Sequence, residues 1–348
     1  MGELSAVDVS LYRRLIQVCF PQISMHSVEP ILHGWDCVAF EVNGEFIFRL
    51  PRRPSGAAEL EKQVLLLPEL AEVPPLAVPH FEFVANGSRP WDKRLVGYRK
   101  IRGVPLTSGL LESVRFPHAA ADLSHFLSEL HRFPVSRAVQ LKAPDADPAG
   151  WRGQYCDMNL RVEERVFPLL DASERSKARA LWEDFLTDGA NFRFQPVLAH
   201  GELLGEHILC DPARGAICGV IDFGDACIGD AALDFAGLLH DCGPGFAKEV
   251  MAGYGGDTEE TFWRRTVFYA RIVPFHEVLF GVDTSDEGWV RRGLEELRGG
   301  SGRDWLCGRW RVSCQRSKEA SRQGGRSYRA LGRRPRACGE GGGKVAGS

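Results

Sequence analysis

Two short groups of polar residues, separated by a predicted hairpin, hold the side chains best suited to chemistry. The first group is His200-Gly201-Glu202, and His207 follows Glu202 by five positions. Asp222 comes twenty positions after Glu202, at the end of an apolar run. A carboxylate placed after a strand, beside a second ligand, is suited to hold a divalent metal ion. Phosphoryl transfer needs such a metal, a cation on the phosphates and a carboxylate that orients the acceptor hydroxyl, so the spacing favours that chemistry.

The segment that precedes these groups is predicted to form a small antiparallel sheet with one helix. Asn43-Gly44 lies between two apolar or alternating runs, which is a strong signal for a hairpin with a tight turn. Helical spacing of apolar residues predicts an opening helix that ends at Pro21 and a second helix over 57–70. Two further strands are predicted over 76–85 and 94–101.

After Pro105 the pattern becomes mainly helical. Two short apolar runs joined by residues 212–215 interrupt it and carry the polar groups. The fold class is therefore α+β, with a small antiparallel-sheet lobe over 1–101 and a mainly helical lobe over 102–298. Helices are predicted over 119–133, 159–170, 173–186, 234–243 and 261–282.

The last segment, 299–348, differs from the body in charge. It contains ten Arg, two Lys and three acids, a net charge of +9, so subtraction from the total of −3 leaves −12 on residues 1–298. Apolar periodicity is lost there, which predicts a disordered tail. Its Arg and aromatic residues permit a nucleic-acid interpretation, but the acidic body and the lack of a nucleic-acid motif count against it. An acidic body suits a cationic small-molecule partner, and we expect a monomer.

Cysteine usage and hydropathy bear on the cellular compartment. No stretch approaches the roughly 18 apolar residues of a membrane helix, and the N-terminal residues lack the apolar core of a signal peptide, so a cytoplasmic location without membrane contact is expected. Ten scattered cysteines without a Cys-x-x-Cys pair predict reduced thiols. His207 and Cys210 have the spacing of one pair of zinc ligands, but the sequence offers no second pair to complete a four-ligand site, so core packing is favoured.

The polar block resembles the catalytic segment of the aminoglycoside phosphotransferase family, whose fold is similar to that of protein kinases. In that family a His-Gly-Asp loop precedes an Asn or His by five positions, and a hairpin then leads to Ile-Asp-Phe or Ile-Asp-Trp. The matching residues here are His200-Gly201-Glu202, His207 and Ile221-Asp222-Phe223. The resemblance implies a kinase-like bilobal fold, ATP or GTP with Mg2+ as cofactors, and His207 and Asp222 as metal ligands. His207 in place of Asn resembles the branch that includes the 2''-phosphotransferases.

The resemblance extends over residues 27–297 and assigns nucleotide contacts. Gly34 and Trp35 would belong to the loop that covers the nucleotide, and Arg49 would contact the phosphates. Gln63 stands where the family has a Glu that pairs with the strand cation. Backbone groups around Tyr98, Lys100 and Ile101 would contact the edge of adenine.

The resemblance also assigns the catalytic loop and the acceptor pocket. Glu202, with His200 beside it, would act on the acceptor hydroxyl, and Asp234 would support the loop. Glu in place of Asp moves the carboxylate by roughly 1 Å, and such a misplacement lowers rates by on the order of a hundredfold, so reduced turnover is expected. Asp157 and Glu277 are candidates for binding an ammonium group of the acceptor.

The implied function is ATP-dependent transfer of the γ-phosphate to a hydroxyl of a small molecule, an aminoglycoside or similar amino sugar, with antibiotic resistance as the consequence. Two alternatives remain open at this point. Glu202 together with Gln63 is compatible with a catalytically impaired, nucleotide-binding pseudokinase. Related folds also act on homoserine, choline or sugars, so a metabolite kinase is the second alternative.

Overall fold

The computed structural model describes residues 9–31, 37–52, 54–72, 76–85 and 95–299, together with the backbone of two short strands beyond them. Gly34, Trp35 and nearly all of the segment 299–348 lie outside the described residues. The strands and helices before residue 106 are α1 (Val9–Cys19), β1 (Val28–Ile31), β2 (Cys37–Val42), β3 (Phe46–Pro51), α2 (Pro54–Leu70), β4 (Phe81–Ala85), β5 (Leu95–Arg99) and β6 (Val104–Pro105).

The first five strands form an antiparallel sheet in the order β1-β2-β3-β5-β4. The predicted hairpin is confirmed: Asn43 and Gly44 both have positive φ, 58° and 69°, and Val42 pairs with Phe46 across the turn. Asn and Gly adopt such φ values at low cost, which explains their place in the turn. One face of the sheet packs on α1, where Ile16 and Phe20 join the cluster around Phe48.

The remainder is mainly helical, as the sequence predicts. Its helices are α3 (Ser108–Ser113), α4 (Ala119–Arg132), α5 (Val135–Gln140), α6 (Pro148–Arg165), α7 (Ala172–Thr187), α8 (Ala232–Gly253), α9 (Phe262–Thr284) and α10 (Glu287–Leu297). Its strands are β7 (Val197–Ala199), β8 (Ile208–Asp211), β9 (Ala216–Val220), β10 (Cys227–Gly229), β11 (Arg303–Asp304) and β12 (Arg309–Trp310). Helix α8 continues past the predicted end at Gly243, where φ is 86° and Pro244 follows, so the chain kinks there and resumes.

The polar groups of the candidate site lie next to the short strands of two small sheets. Strands β6, β8 and β9 form one sheet and β7 pairs with β10, so one half of the candidate site follows β7 and the other follows β9. The amide of Val220 also donates to the carbonyl of Ala77 at 2.9 Å, which ties β9 to the segment before β4. Backbone bonds of this kind fix the end of β9 relative to the first sheet.

The described residues group into two compact units. One contains 9–145 and 197–270, and the other contains 146–196 and 271–299. The predicted lobe boundary at residue 101 lies inside the first unit, because β6 pairs with β8 and Ala77 bonds to β9. The division into lobes at that residue stays a prediction. In the described part of the chain, no helix combines the length and apolar character that a bilayer crossing requires.

Candidate active site

Asp222 follows β9 in a left-handed conformation, with φ 64° and ψ 65°. This region disfavours most side chains, although Asp tolerates it better than most. Its Oδ1 accepts from the Arg49 guanidinium at 3.1 Å, and its Oδ2 lies 3.9 Å from Nε2 of His207. Burial by itself would raise the pKa of Asp222, but the charge of Arg49 holds the pKa well below its usual range. The side chain is therefore an anion at neutral pH.

Arg49 lies on β3, where the resemblance places the phosphate-contacting cation. One guanidinium nitrogen donates to Asp222, and the other donates to Oε1 of Gln63 at 3.1 Å. Burial favours the neutral form of Arg49, but Asp222 more than offsets this and raises the pKa above its usual value. Gln63 thus occupies the position of the expected partner and contributes an amide dipole, while the negative charge beside the cation comes from Asp222.

Lys62, the neighbour of Gln63 on α2, makes a contact that the sequence did not predict. Its side chain is buried, and Nζ donates to the carbonyl oxygens of Gly224 at 2.6 Å and Ala226 at 2.7 Å. Burial lowers the pKa of Lys62, against the opposing effect of nearby acids such as Asp225. The loop that follows Asp222 is therefore fastened to α2. Local sequence did not single out this lysine, because it lies among the other polar residues Glu59, Glu61 and Gln63 of that helix.

The predicted catalytic loop, residues 200–207, begins after the end of β7 and depends on Gly201. A β-carbon there would lie 2.2 Å from the carbonyl oxygen of Asp225, and φ is +84°, so only glycine fits. The backbone amides of His200 and Gly201 donate to the two oxygens of Asp234 at 2.8 and 2.9 Å. The expected support of the loop by Asp234 is therefore seen. Behind it, His131 bonds through Nε2 to Asp234 at 2.9 Å and through Nδ1 to the Tyr254 hydroxyl at 2.7 Å.

His200 is fully buried, and both of its ring nitrogens contact the backbone. Nε2 donates to the carbonyl of Ile221 at 3.0 Å, and Nδ1 accepts from the amide of Glu202 at 3.3 Å. Burial lowers the pKa of His200 to about 4, so the ring is neutral at physiological pH. These contacts join the catalytic loop to the residue before Asp222. The ring therefore positions the loop, and a direct catalytic role for His200 stays a prediction.

Glu202 and His207 lie close together. Nδ1 of His207 donates to the backbone carbonyl of Glu202 at 2.7 Å and lies 4.0 Å from the carboxylate oxygen Oε2. The Glu202 side chain is only 2% exposed, so its carboxylate is buried from solvent in this conformation. Because a carbonyl can only accept, Nδ1 donates its proton to the Glu202 carbonyl, and Nε2 is the ring nitrogen that lies nearer to Asp222.

His207 and Asp222 together suit a divalent cation. Magnesium binds its ligands at about 2.0–2.1 Å, so two ligands of one ion lie within about 4.2 Å of each other, and the 3.9 Å separation of Nε2 and Oδ2 falls within that limit. Among the described residues no group of three or more His, Cys, Asp or Glu side chains gathers as a metal site. Magnesium often uses one or two protein ligands and completes its shell with water and phosphate oxygens.

The residues expected beside adenine lie at the end of β5. Tyr98 pairs with Ile47 and Phe81, and burial raises the pKa of its hydroxyl to about 12. The amide of Lys100 donates to the carbonyl of Glu45 at 2.7 Å, so this amide is already committed. Ile101 lies against Gly219 of β9. Nucleotide contacts by these residues stay predictions.

The two acceptor candidates belong to the second unit. Asp157 is half-buried on α6, whereas the Glu277 side chain on α9 has no exposure and lies 3.8 Å from Nε of Arg292. Because this side chain has no exposure, an ammonium group can reach Glu277 only if the residues that cover it move. Acceptor binding by Asp157 and Glu277 stays a prediction.

Comparison with known sequences identifies related proteins. The sequence profile of the phosphotransferase enzyme family matches residues 27–269. Viomycin phosphotransferase of Streptomyces vinaceus is 25% identical over 202 residues, which cover 57% of this chain and 68% of that protein. Both matched segments are long enough to include more than the catalytic loop.

Comparison with solved structures extends the likeness to the fold. The GDP complex of wild-type aminoglycoside 2'-phosphotransferase-IIIa has a TM-score of 0.77 and 32% identity, and the match covers 85% of this chain and 99% of that chain. The GDP and kanamycin complex of APH(2")-IIia has a TM-score of 0.76 and 32% identity, with 84% of this chain and 98% of that chain covered. A macrolide 2'-phosphotransferase type I, at 21% identity and a TM-score of 0.67, shares the fold.

Proposed function

The chain belongs to the phosphotransferase enzyme family, and from that premise we propose that it moves the γ-phosphoryl group of ATP or GTP to a hydroxyl of a cationic antibiotic. The observation that carries the proposal is the arrangement around Asp222. One carboxylate oxygen accepts from the Arg49 cation, the other lies 3.9 Å from Nε2 of His207, and a carboxylate oxygen of Glu202 lies 4.0 Å from Nδ1 of the same ring. The site therefore brings together a cation for the phosphates, two candidate metal ligands and a carboxylate for the acceptor, which are the groups that phosphoryl transfer requires.

The nucleotide would be held by Arg49, His207 and Asp222. A magnesium ion bound by His207 and Asp222 supplies neutralising charge for the phosphate oxygens. Arg49 keeps its positive charge at every physiological pH, and its contact with Gln63 leaves it oriented when a phosphate competes for its bond to Asp222. A neutral partner on α2 thus leaves more of the guanidinium charge for the phosphates than a carboxylate would.

Glu202 would orient the acceptor hydroxyl. Its backbone is fixed by the bond from His207 and by the amide contact with His200, so the carboxylate would reach the hydroxyl through rotation of the side chain. Positioning and charge neutralisation supply most of the rate enhancement in this chemistry, so a carboxylate on a longer arm still supports turnover.

A cationic acceptor is favoured by charge and by the relatives. Residues 1–298 carry a net charge of −12, from a total of −3 less +9 in 299–348. A structure 32% identical to this chain holds kanamycin, and the sequence relative acts on viomycin. We therefore propose an amino-group-rich antibiotic as acceptor, with aminoglycosides first in order of testing. Cytoplasmic location and a monomeric state stay predictions.

A second candidate function is nucleotide binding without catalysis. The observation that favours it is the 2% exposure of the Glu202 side chain, together with Gln63 in place of the expected acid. Such a protein would bind magnesium and nucleotide with the same residues but leave acceptors unmodified.

The deciding experiment is a search by mass spectrometry for added phosphate on kanamycin, viomycin and a macrolide, each with ATP and with GTP. Nucleotide affinity is measured in parallel by calorimetry with and without magnesium. The variant Asp222→Asn should abolish product, and the matched control Asp211→Asn on the neighbouring strand β8 should retain it. Nucleotide binding without product from any acceptor would support the second candidate, and absence of both would refute the proposed function.

A further inference from the structure

One face of helix α8 lies along the catalytic loop. Asp234, Gly237 and Asp241 are spaced at i, i+3 and i+7, so they share that face. All three contact residues between His200 and Gly205, the segment that contains Glu202. The bond from Asp234 to the start of the loop is described above. The two remaining contacts fix the part of the loop that follows Glu202.

The middle contact is a close approach of backbones at Gly237. A β-carbon at this position would lie 2.1 Å from the carbonyl oxygen of Leu203 and 2.5 Å from its carbonyl carbon. Because these are backbone atoms, they cannot move aside without moving the loop. Glycine therefore allows the loop to rest directly on the helix.

The last contact is made by Asp241. Its Oδ2 accepts from the amide of Gly205 at 2.9 Å, and its Oδ1 lies 2.7 Å from Nδ1 of the neighbouring His240. The carbonyl of Gly205 accepts from the amide of Leu106 at 2.9 Å, and a β-carbon on Gly205 would lie 2.3 Å from the carbonyl oxygen of Leu106. Gly205 is thus fixed on both sides of its peptide, by α8 on one side and by the residue after β6 on the other.

We propose that Asp241 is a positioning residue for phosphoryl transfer, which anchors the catalytic loop after Glu202 as Asp234 anchors it before Glu202. Without Asp241, Gly205 keeps its bond to Leu106 but loses its bond to α8, so the part of the loop between Glu202 and His207 can shift away from the helix. With two anchors on one rigid helix, the Glu202 peptide is held between fixed points. The proposal rests on the function proposed above for the loop, and its test includes a measurement that needs no catalysis.

The test compares three substitutions at one position. Asp241→Ala removes the acceptor, Asp241→Asn keeps an oxygen that can accept the same amide, and Asp241→Glu keeps the charge but moves the oxygens by one methylene. The control is Glu249→Ala, since Glu249 is an exposed acid further along the same helix. Each variant is measured for kcat, for KM of the nucleotide, and for hydrogen–deuterium exchange in peptides that cover Gly205.

We expect Asp241→Ala and Asp241→Glu to lower kcat by roughly 10- to 100-fold with KM of the nucleotide within about threefold, because a displacement near 1 Å has an effect of that size. Asp241→Asn should retain most of kcat. Exchange around Gly205 should rise in the Ala variant and stay near the native level in the Asn variant and in the control.

Unchanged kcat in Asp241→Ala would overturn the proposal, even if exchange rises, because the anchor would then not matter for catalysis. Equal losses in the Asn and Ala variants would also overturn it, since the hydrogen bond to Gly205 would not be the cause. If Asp241→Ala does not fold, the contrast between the Asn and Glu variants decides. If no acceptor is phosphorylated by the native chain, the proposed function fails, whereas unaltered exchange at Gly205 would refute the anchor itself.

Discussion

Shortening Glu202 by one methylene is the sharpest perturbation that the site offers. The Glu202 carbonyl is bonded to His207 at 2.7 Å and the loop before it is bonded to Asp234, so the backbone is held while the carboxylate withdraws by roughly 1 Å. The native carboxylate is 2% exposed and lies 4.0 Å from the His207 ring, which places its oxygens beside the ring. A carboxylate on an arm that is shorter by one methylene stays closer to the loop backbone. Because a misplacement of about 1 Å lowers rates by on the order of a hundredfold, Glu202→Asp should raise kcat by up to about a hundredfold, or about 2.7 kcal/mol in the barrier.

The assay is single-turnover transfer from radiolabelled ATP to the acceptor identified by mass spectrometry, so that product release does not mask the chemical step. The matched control is Glu206→Asp, which makes the same chemical change four positions away in the same loop and should alter kcat by less than about threefold. Nucleotide affinity should stay constant in both variants, because neither residue is a metal ligand in the proposed site. Equal or lower kcat in Glu202→Asp, with Asp222→Ala also harmless, would refute the assignment of this loop as the catalytic one.

Three further perturbations test the surroundings of the site. Lys62→Met leaves two loop carbonyls without the donor of Lys62, so it should lower the free energy of unfolding by about 1–3 kcal/mol and weaken magnesium–nucleotide binding. The control Lys177→Met, at an exposed position, should change neither quantity. Urea unfolding measures the stability and calorimetry measures the binding. Burial holds the pKa of His200 at about 4, against about 6.5 in an unfolded chain, so the unfolded chain binds the extra proton between these values, and His200 should contribute a fall of about 1.4 kcal/mol per unit in the free energy of unfolding as pH drops from about 6.5 to 4. Burial lowers the pKa of His276 to about 4 as well, so this residue should add a fall of similar size. His200→Gln should reduce the total slope by about the contribution of His200 and exposed His125→Gln should not, and an unaltered slope in His200→Gln would contradict the assignment. Gly237→Ala should lower the free energy of unfolding by about 1–3 kcal/mol, because its β-carbon would lie 2.1 Å from a loop carbonyl, and an unchanged urea midpoint would contradict this close approach.

Arg49, the predicted phosphate-contacting cation, has the amide of Gln63 as its partner on α2, where the resemblance predicts a Glu. In this chain Arg49 bonds to an amide on α2 and to the carboxylate of Asp222, so the charge of Asp222 faces both the cation and the predicted metal position. Lys62 then provides the bond between α2 and the loop after Asp222. Helix α2 is therefore linked to the loop after Asp222 directly through Lys62, and to Asp222 itself through the contact of Gln63 with Arg49.

Local sequence determined the elements and the residues with the most specific chemistry. The Asn43-Gly44 turn was predictable because its positive φ values are required within two residues, and the helices because their apolar spacing repeats along the chain. Asp222 and His207 were predictable because residue type, strand end and spacing together restrict the chemistry, and the structure brings them to 3.9 Å. The α+β class followed from the order of these elements. The role of Asp157 and Glu277 could not be inferred in this way, since helix periodicity does not indicate which acid meets a ligand.

Tertiary structure alone decided what holds these groups in place. Lys62 bonds to carbonyls 162 and 164 positions away, and Asp241 bonds to Gly205 across 36 positions, so no local pattern encodes either contact. The Glu202 carboxylate packs beside the ring of His207, five positions further along the chain. The neutral state of His200 depends on the complete burial of its ring. Sequence thus determined which groups are present, because chemistry restricts residue type and spacing. Packing determined their orientation and charge state, because both depend on neighbours that are distant along the chain.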